Sequence, residues 1–185
     1  SFGQGMRLNP IEIAQIYSTF ANGGYLVSPY LVEKITSSDG QAVYQKQPAE
    51  KKRIISVGSA KKMRHILKRT VNEGTGFLAK VPGYSTAGKT GTAEKFDLSL
   101  RKYSDTKRVA SFAGFAPAED PRIVIYVVID EPGKKPFYGG TWAAPAFAQI
   151  ASQTLSYLNI SKEPSHDANA SPISQNDKPS GSFPP

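Results

Sequence analysis

The sequence contains no cysteine and very little histidine. Its 185 residues include 0 cysteines and 2 histidines, His65 and His166. The absence of cysteine excludes a disulfide scaffold, a cysteine-based zinc site and a thiol nucleophile. Two histidines are too few for a metal site built from imidazoles. We therefore predict neither a resident metal nor a cofactor.

Long apolar runs are also missing. No segment approaches the roughly 20 apolar residues that a transmembrane helix needs. Residues 1–5 lack both a start methionine and the basic-then-apolar profile of a secretory leader. We expect this chain to be a piece of a longer protein, in which an export or anchoring segment lies upstream.

Basic side chains outnumber acidic ones. The 23 lysines and arginines and the 15 aspartates and glutamates give a formal net charge of +8. Basic clusters at residues 51–53, 61–62 and 68–69 fall in or beside a helix-like segment. Because no nucleic-acid-binding motif accompanies them, we favour a solvated basic surface and expect no nucleic-acid partner. Attraction to an anionic membrane or polymer surface is a secondary interpretation.

Three segments carry helix signals. Asn9, Pro10 and Glu12 match the N-cap, first and third positions of a helix. A second helix fits residues 56–71, and a third is predicted to begin at Pro145. The apolar faces predicted for the last two helices comprise Met63, Ile66 and Leu67, and Phe147, Ile150, Ala151, Leu155 and Leu158.

Extended segments lie between the second and third helices. Residues 85–94 are small and threonine-rich, residues 109–115 fit a short strand, and residues 123–129 fit a buried strand. The connections offer no helical crossover, so we predict antiparallel pairing. The element order indicates an α+β fold, with a three-stranded antiparallel sheet packed against helices. Residues 1–160 form the predicted domain, and the polar residues 161–185 a disordered tail.

The segment most informative about function is residues 83–95, Gly-Tyr-Ser-Thr-Ala-Gly-Lys-Thr-Gly-Thr-Ala-Glu-Lys. From Gly83 to Thr90 it matches the phosphate-binding P-loop pattern, and Asp130 after an apolar strand imitates the acid that positions magnesium. A P-loop, however, must open a helix whose N-terminus points at phosphate. The residues after Lys89 are poor helix formers and no apolar helical stripe follows them. We keep a nucleotide hydrolase as the alternative function.

The same letters also match the third motif of serine acyltransferases that react with penicillin, Lys89-Thr90-Gly91. In that interpretation residues 89–92 lie on an edge strand that lines a cleft. The Lys89 ammonium stabilises a substrate carboxylate or tunes proton transfer at a neighbouring hydroxyl, and the Thr90 and Thr92 hydroxyls bind the same carboxylate. Gly91 lacks a Cβ, so a substrate backbone can lie close to the strand.

Further segments in the right order make the resemblance specific. The chain resembles the transpeptidase domain of class B penicillin-binding proteins, of division or elongation type, from Ser1 to about Leu158. That resemblance implies a serine β-lactamase/transpeptidase-like fold. The segments that carry it are residues 1–5, 9–10, 21–24, 74–76, 83–84, 87–93, 112–117, 138–140 and 144–147.

The resemblance implies cross-linking of cell-wall peptidoglycan by D-alanyl-D-alanine transpeptidation through a serine acyl-enzyme. Implied partners are peptidoglycan stem peptides, β-lactam antibiotics and other cell-wall synthesis or division proteins. The implied location is the outer face of the cytoplasmic membrane. Lys89 corresponds to the motif lysine, Thr90 and Thr92 to carboxylate-binding hydroxyls, and the Thr92 amide to an oxyanion donor. Phe137 and Tyr138 are proposed as an apolar wall for the ligand.

The family also needs a nucleophilic Ser-x-x-Lys and a Ser-x-Asn, both before the third motif. Ser59, Ser99 and Ser104 match the first pattern by letters. Ser59 falls on a basic amphipathic helix, and the other two follow Lys89 in the wrong order. No Ser-x-Asn is visible. We therefore expect the nucleophile upstream and the isolated chain to be inactive. A non-catalytic regulator that keeps the penicillin-recognising scaffold is a third possible class.

Overall fold

The computed structural model describes residues 8–97, 99, 101–133 and 136–164. It contains three α-helices, α1 (Pro10–Ala21), α2 (Val57–Glu73) and α3 (Gly139–Tyr157), and a short 3-10 helix, Phe77–Ala79. The five strands are β1 (Lys34–Thr36), β2 (Ala42–Gln45), β3 (Ala87–Asp97), β4 (Lys102–Ala116) and β5 (Ile123–Asp130). Among the described residues, no helix combines the length and apolar character needed to cross a bilayer.

The main sheet is antiparallel throughout, in the order β3-β4-β5. Gly91 on β3 lies opposite Ser111 on β4, which in turn lies opposite Val128 on β5. Because side chains alternate between the two faces of a strand, this register assigns Lys89 and Gly91 to one face and Thr90 and Thr92 to the other. The predicted α+β class and antiparallel sheet are confirmed.

Two apolar clusters hold helices on both faces of this sheet. On one face, Leu67 of α2 packs with Phe115 of β4, together with partly buried residues of α1. On the other face, Phe147 of α3 packs on Phe112 of β4, with ring centroids 4.7 Å apart. The sheet is therefore the middle layer of three, and the edge strand β3 is supported from both sides.

The start of α1 follows the local signals of the sequence. The Asn9 side chain accepts a hydrogen bond from the Glu12 amide at 2.9 Å, and the Glu12 carboxylate accepts one from the Asn9 amide at 2.7 Å. This reciprocal pair is a capping box, with Pro10 in the first turn. The predicted helix start at Pro10 is confirmed, because all the groups involved lie within four residues.

The start of α3 differs from the prediction. The helix begins at Gly139 rather than at Pro145, which lies inside it. The Tyr138 carbonyl accepts hydrogen bonds from the amides of Thr141 and Trp142, so the first turn forms before the proline. Phe147, Ala151 and Leu155 are buried as predicted, whereas Ile150 and Leu158 are exposed. On α2, Leu67 is buried but Ile66 is exposed.

The strands also extend further than expected. The polar stretch between residues 94 and 108 contains the far ends of β3 and β4, and β5 is only half-buried. Cross-strand pairs replace apolar burial there: Arg108 binds Glu94 at 2.9 Å, and the rings of Phe96 and Tyr103 meet edge to face. A separate antiparallel pair, β1 with β2, was not predicted.

The segment after α3 returns to the start of β3. Glu163 accepts hydrogen bonds from the Ser85 amide at 2.9 Å and from the Ser85 hydroxyl at 2.6 Å. The Tyr84 hydroxyl donates to the Ile160 carbonyl at 2.7 Å. Residues 161–164 of the predicted disordered tail therefore contact the domain, and residues 165–185 lie outside the described residues.

Phe147 is a fully buried ring of α3 that packs on the sheet. Replacing Phe147 with alanine should lower the free energy of unfolding by about 3–5 kcal/mol, because a fully buried ring is lost and a cavity remains. Phe96, with 48% of its surface exposed, is the matched control, and its alanine variant should cost only about 1 kcal/mol. Denaturant titration measures both values, and equal losses would contradict the assigned core.

Candidate active site

Residues 89–93 lie within an unbroken β-strand. β3 runs from Ala87 to Asp97 and pairs along its length with β4. No helix begins directly after Thr90, because β3 continues to Asp97, and the sheet to which the segment belongs is antiparallel. A P-loop requires the opposite on both counts, since its glycine-rich turn opens a helix beside a parallel sheet. The alternative that used Gly83 to Thr90 and Asp130 for a nucleotide is therefore wrong.

A cleft of about 430 Å³ lies between this segment and α1. Its floor is the sheet and its far wall is apolar. The residues that line it are Leu8, Ile13, Ile16, Tyr17 and Phe20 on the α1 side, Lys89, Thr90, Gly91, Thr92 and Ala93 on β3, Val109, Ser111 and Ala113 on β4, and Tyr126 on β5. All four residues of the predicted strand motif thus line one concave surface of ligand-site size, but by the register only Lys89 and Gly91 lie on the sheet face towards α1.

The apolar wall affects the tyrosine that faces the sheet. Burial raises the pKa of Tyr17 to about 12, and the nearby Tyr126 adds to this shift. Tyr17 therefore stays neutral at physiological pH. The charge within the cleft comes from Lys89 instead.

Lys89 has an exposed side chain whose ammonium reaches around the edge of the sheet. Its Nζ donates to the Thr90 carbonyl at 3.0 Å and to the Thr90 hydroxyl at 3.1 Å. Among the described residues, no carboxylate forms an ion pair with Lys89. Its positive charge is therefore not neutralised by any carboxylate in the described part of the chain and favours an anionic group in the cleft.

The Thr90 hydroxyl has a second partner from another element. Its Oγ1 lies 2.9 Å from the Thr75 Oγ1, in the turn that follows α2. Either hydroxyl can donate in this pair. The contact joins residues that are 15 positions apart in the sequence, and it places a third hydroxyl beside Thr90, although Thr75 itself does not line the cleft.

The Thr92 hydroxyl is held by the start of α3. It accepts a hydrogen bond from the Gly139 amide at 3.1 Å. A Cβ at position 139 would overlap with the carbonyl oxygens of Gly91 and Ser111, so only glycine lets the helix approach the strand this closely. Because the Thr92 oxygen accepts from Gly139, its own proton is free to be donated to a ligand.

A comparison with protein families agrees with this geometry. The family model described as "Penicillin binding protein transpeptidase domain" matches residues 1–152. The chain belongs to the penicillin-binding protein transpeptidase family. The resemblance to class B enzymes noted from the sequence is therefore confirmed, together with the β-lactamase/transpeptidase fold.

Individual members of the family share much of this chain. It is 40% identical over 161 residues to stage V sporulation protein D of Bacillus subtilis, a match that covers 86% of the chain and 25% of that protein. It is 38% identical over 162 residues to the probable peptidoglycan D,D-transpeptidase PenA of Neisseria flavescens, covering 87% of the chain and 37% of PenA. The chain thus spans between a quarter and just over a third of these relatives.

Solved structures of penicillin-binding proteins superpose on the chain. Penicillin binding protein 3 from Mycobacterium tuberculosis, complexed with ampicillin, gives a TM-score of 0.78 at 30% identity, covering 88% of this chain and 37% of that one. The transpeptidase domain of penicillin-binding protein 3 from Burkholderia pseudomallei gives a TM-score of 0.64 at 34% identity, covering 81% of this chain and 42% of that one.

Two residues predicted as an apolar wall lie outside the cleft. Phe137 and Tyr138 immediately precede Gly139 and do not line the cleft beside α1. Tyr138 is 64% exposed and lies next to Thr92 through the Gly139 contact. The pair therefore flanks the threonine hydroxyls rather than the apolar wall, and its role as a ligand wall stays a prediction.

None of the three serines in Ser-x-x-Lys letter matches lines the cleft beside α1. The Ser59 hydroxyl pairs with that of Ser56 at 2.9 Å in the first turn of α2. Ser99 donates to Asp97 at 2.5 Å, and Ser104 accepts from the amides of Thr106 and Lys107, both near the β3–β4 turn. No group of three or more metal-ligating side chains occurs among the described residues either.

Thr75 and Gly139 are site residues to which sequence reasoning gave no role. Both lie in glycine-containing segments that the family resemblance had included, residues 74–76 and 138–140. Their glycines were a usable signal, since glycine marks places where backbones approach closely. The partners Thr90 and Thr92 could not be read from the sequence, because each contact crosses between elements.

The contact between Gly139 and β3 can be tested by adding one methyl group. Gly139→Ala should lower the free energy of unfolding by about 1–3 kcal/mol, because the new Cβ overlaps with two backbone carbonyls. Gly133 has nothing within 4 Å of an added Cβ, so Gly133→Ala is the matched control and should change stability by less than about 0.5 kcal/mol. Denaturant titration of both variants checks this, and a Gly139→Ala variant as stable as the control would refute the contact.

Proposed function

We propose that the intact protein is a D,D-transpeptidase that cross-links peptidoglycan through a serine acyl-enzyme, with β-lactams as mimics of the donor. The observation that supports this most is the grouping of the Lys89 ammonium with the Thr90 and Thr92 hydroxyls on the edge strand of a cleft. Relatives named peptidoglycan D,D-transpeptidases and a neighbour solved with ampicillin agree with it.

The edge strand would bind the C-terminal carboxylate of the donor peptide. Lys89 supplies a positive charge without a carboxylate partner among the described residues. Thr92 can direct its proton outward, because its oxygen already accepts from Gly139. Hydrogen bonds to ionised groups are roughly twice as strong as neutral ones, so these groups discriminate a free carboxylate from an amide.

The reaction needs a nucleophile that this chain does not contribute. A serine hydroxyl attacks the carbonyl of the penultimate D-alanine, loses its proton to a base, and forms an ester as the terminal D-alanine leaves. The amine of a neighbouring stem peptide then attacks that ester and releases the serine. The Thr92 amide is our candidate donor to the oxyanion that forms in both steps.

We place this serine in the part of the family domain that the chain does not span. The apolar wall of the cleft supports that assignment, since Leu8 and Ile16 are each 41% exposed there. A further segment packed against α1 would bury these side chains and bring a hydroxyl towards Lys89. By the same proposal, the protein acts at the outer face of the cytoplasmic membrane, anchored by a segment outside this chain, with division or cell-wall synthesis proteins as partners.

The isolated chain should not be labelled covalently by a fluorescent penicillin. Its serines in Ser-x-x-Lys matches lie outside the cleft, and none of them faces Lys89. Gel fluorescence after incubation measures labelling, and the intact protein is the positive control. Stoichiometric labelling of the chain, mapped to Ser59 by peptide mass spectrometry, would overturn the assignment. Failure of the intact protein to be labelled would favour a non-catalytic regulator.

In the intact protein, Lys89→Ala should reduce the acylation rate by about 10²–10⁴-fold, the range typical of a lost proton-transfer or charge-stabilising group. The fold should persist, because the Lys89 side chain is exposed. Lys34→Ala, in the separate β1–β2 pair, is the control and should acylate normally. Stopped-flow acylation by penicillin measures the rates, and circular dichroism checks the fold. An unchanged rate for Lys89→Ala would refute the role.

A further inference from the structure

Thr75 lies where three elements meet beside the carboxylate-binding edge. It follows α2, its hydroxyl contacts that of Thr90 on β3, and its carbonyl faces the start of α3. We propose that Thr75 is a positioning residue that directs the Thr90 hydroxyl proton towards the ligand carboxylate. This inference rests on the proposed transpeptidase function, since it concerns how that site recognises its ligand.

The direction of the Thr90 hydroxyl proton follows from the donors that surround its oxygen. A threonine hydroxyl has one proton and two lone pairs. At Thr90 the Lys89 ammonium fills one lone pair, at 3.1 Å. If Thr75 donates to the second lone pair, at 2.9 Å, both lone pairs of the Thr90 oxygen are occupied. The Thr90 proton then points away from both Lys89 and Thr75. The hydroxyl then donates to a ligand without having to reorient.

A carboxylate ligand selects this arrangement over its reverse. In the reverse arrangement Thr90 donates to Thr75, and the outward proton belongs to the hydroxyl that is further from the ammonium. A carboxylate is drawn to Lys89, so it meets the Thr90 oxygen and requires a donor there. Together with Thr92, whose oxygen accepts from Gly139, the edge then presents two outward hydroxyl donors. A carboxylate has two oxygens to receive them.

The backbone around Thr75 keeps its hydroxyl in place. The amides of Gly74 and Gly76 both donate to the Thr70 carbonyl, at 3.2 and 3.1 Å, which ties the turn to the end of α2. On the other side, a Cβ at Gly140 would lie 2.6 Å from the Thr75 carbonyl oxygen, so the start of α3 closes over the turn. The Thr75 side chain is nevertheless exposed, which leaves room for a ligand beside it.

The test uses the intact protein and two forms of one antibiotic, benzylpenicillin and its carboxyl methyl ester. Thr75→Val keeps the shape of the side chain but removes the hydroxyl. It should lower the acylation rate by benzylpenicillin about tenfold, as expected for a weakened hydrogen bond to a charged group. Acylation by the ester should stay unchanged, because the ester has no carboxylate to bind. Thr75→Ser should restore the ratio of the two rates.

Thr36→Val, in β1, is the matched control and should change neither rate. Each outcome has a separate meaning. If Thr75→Val leaves the ratio of the two acylation rates unchanged, whether or not both rates fall, the positioning role is refuted while the transpeptidase function stands. If the wild-type intact protein is not acylated by benzylpenicillin, both proposals fail. Loss of the acid-to-ester preference in Thr75→Val, with recovery in Thr75→Ser, supports the role.

Discussion

The site depends on the pairing of β3 with β4, because this pairing keeps residues 89–93 extended at the edge of the sheet. A bend of this segment would separate Lys89 from the threonine hydroxyls. Two contacts reinforce the pairing from outside the sheet. Gly139 at the start of α3 packs on the backbone of Gly91 and Ser111, and Glu163 binds Ser85 just before β3 begins. The strand is thus restrained at its centre and at its start.

Local signals account for the parts of the fold that the sequence predicts well. The capping box of α1 involves only Asn9 to Glu12, and the glycine-and-threonine composition of residues 89–92 disfavours a helix there. The antiparallel pairing follows from the lack of a helical crossover between the strands, and the edge position from the Lys-Thr-Gly motif. These signals favoured a transpeptidase strand over a nucleotide loop, and the structure decides between them.

The errors arise where contacts between distant residues decide the structure. α3 begins before Pro145 because its first turn is stabilised by the Tyr138 carbonyl and by close packing on β3. The polar ends of β3 and β4 form strands because their charges pair across the sheet, as between Glu94 and Arg108. The hydroxyl pair of Thr75 and Thr90 depends on how α2 is set against β3. No hydrophobic period encodes any of these contacts.

Lys89 and the two threonines project from opposite faces of one edge strand, and this has a mechanical consequence. A rotation of β3 about its own axis moves the Lys89 Cβ and the threonine hydroxyls in opposite directions, so it strains the contact of the Lys89 ammonium with the Thr90 hydroxyl. Under the proposed function, the torsion of β3 therefore decides whether one carboxylate reaches both the ammonium and the hydroxyls. Substitutions far from the cleft can thus change ligand affinity by changing the torsion of β3, provided that they alter how closely the start of α3 packs on Gly91.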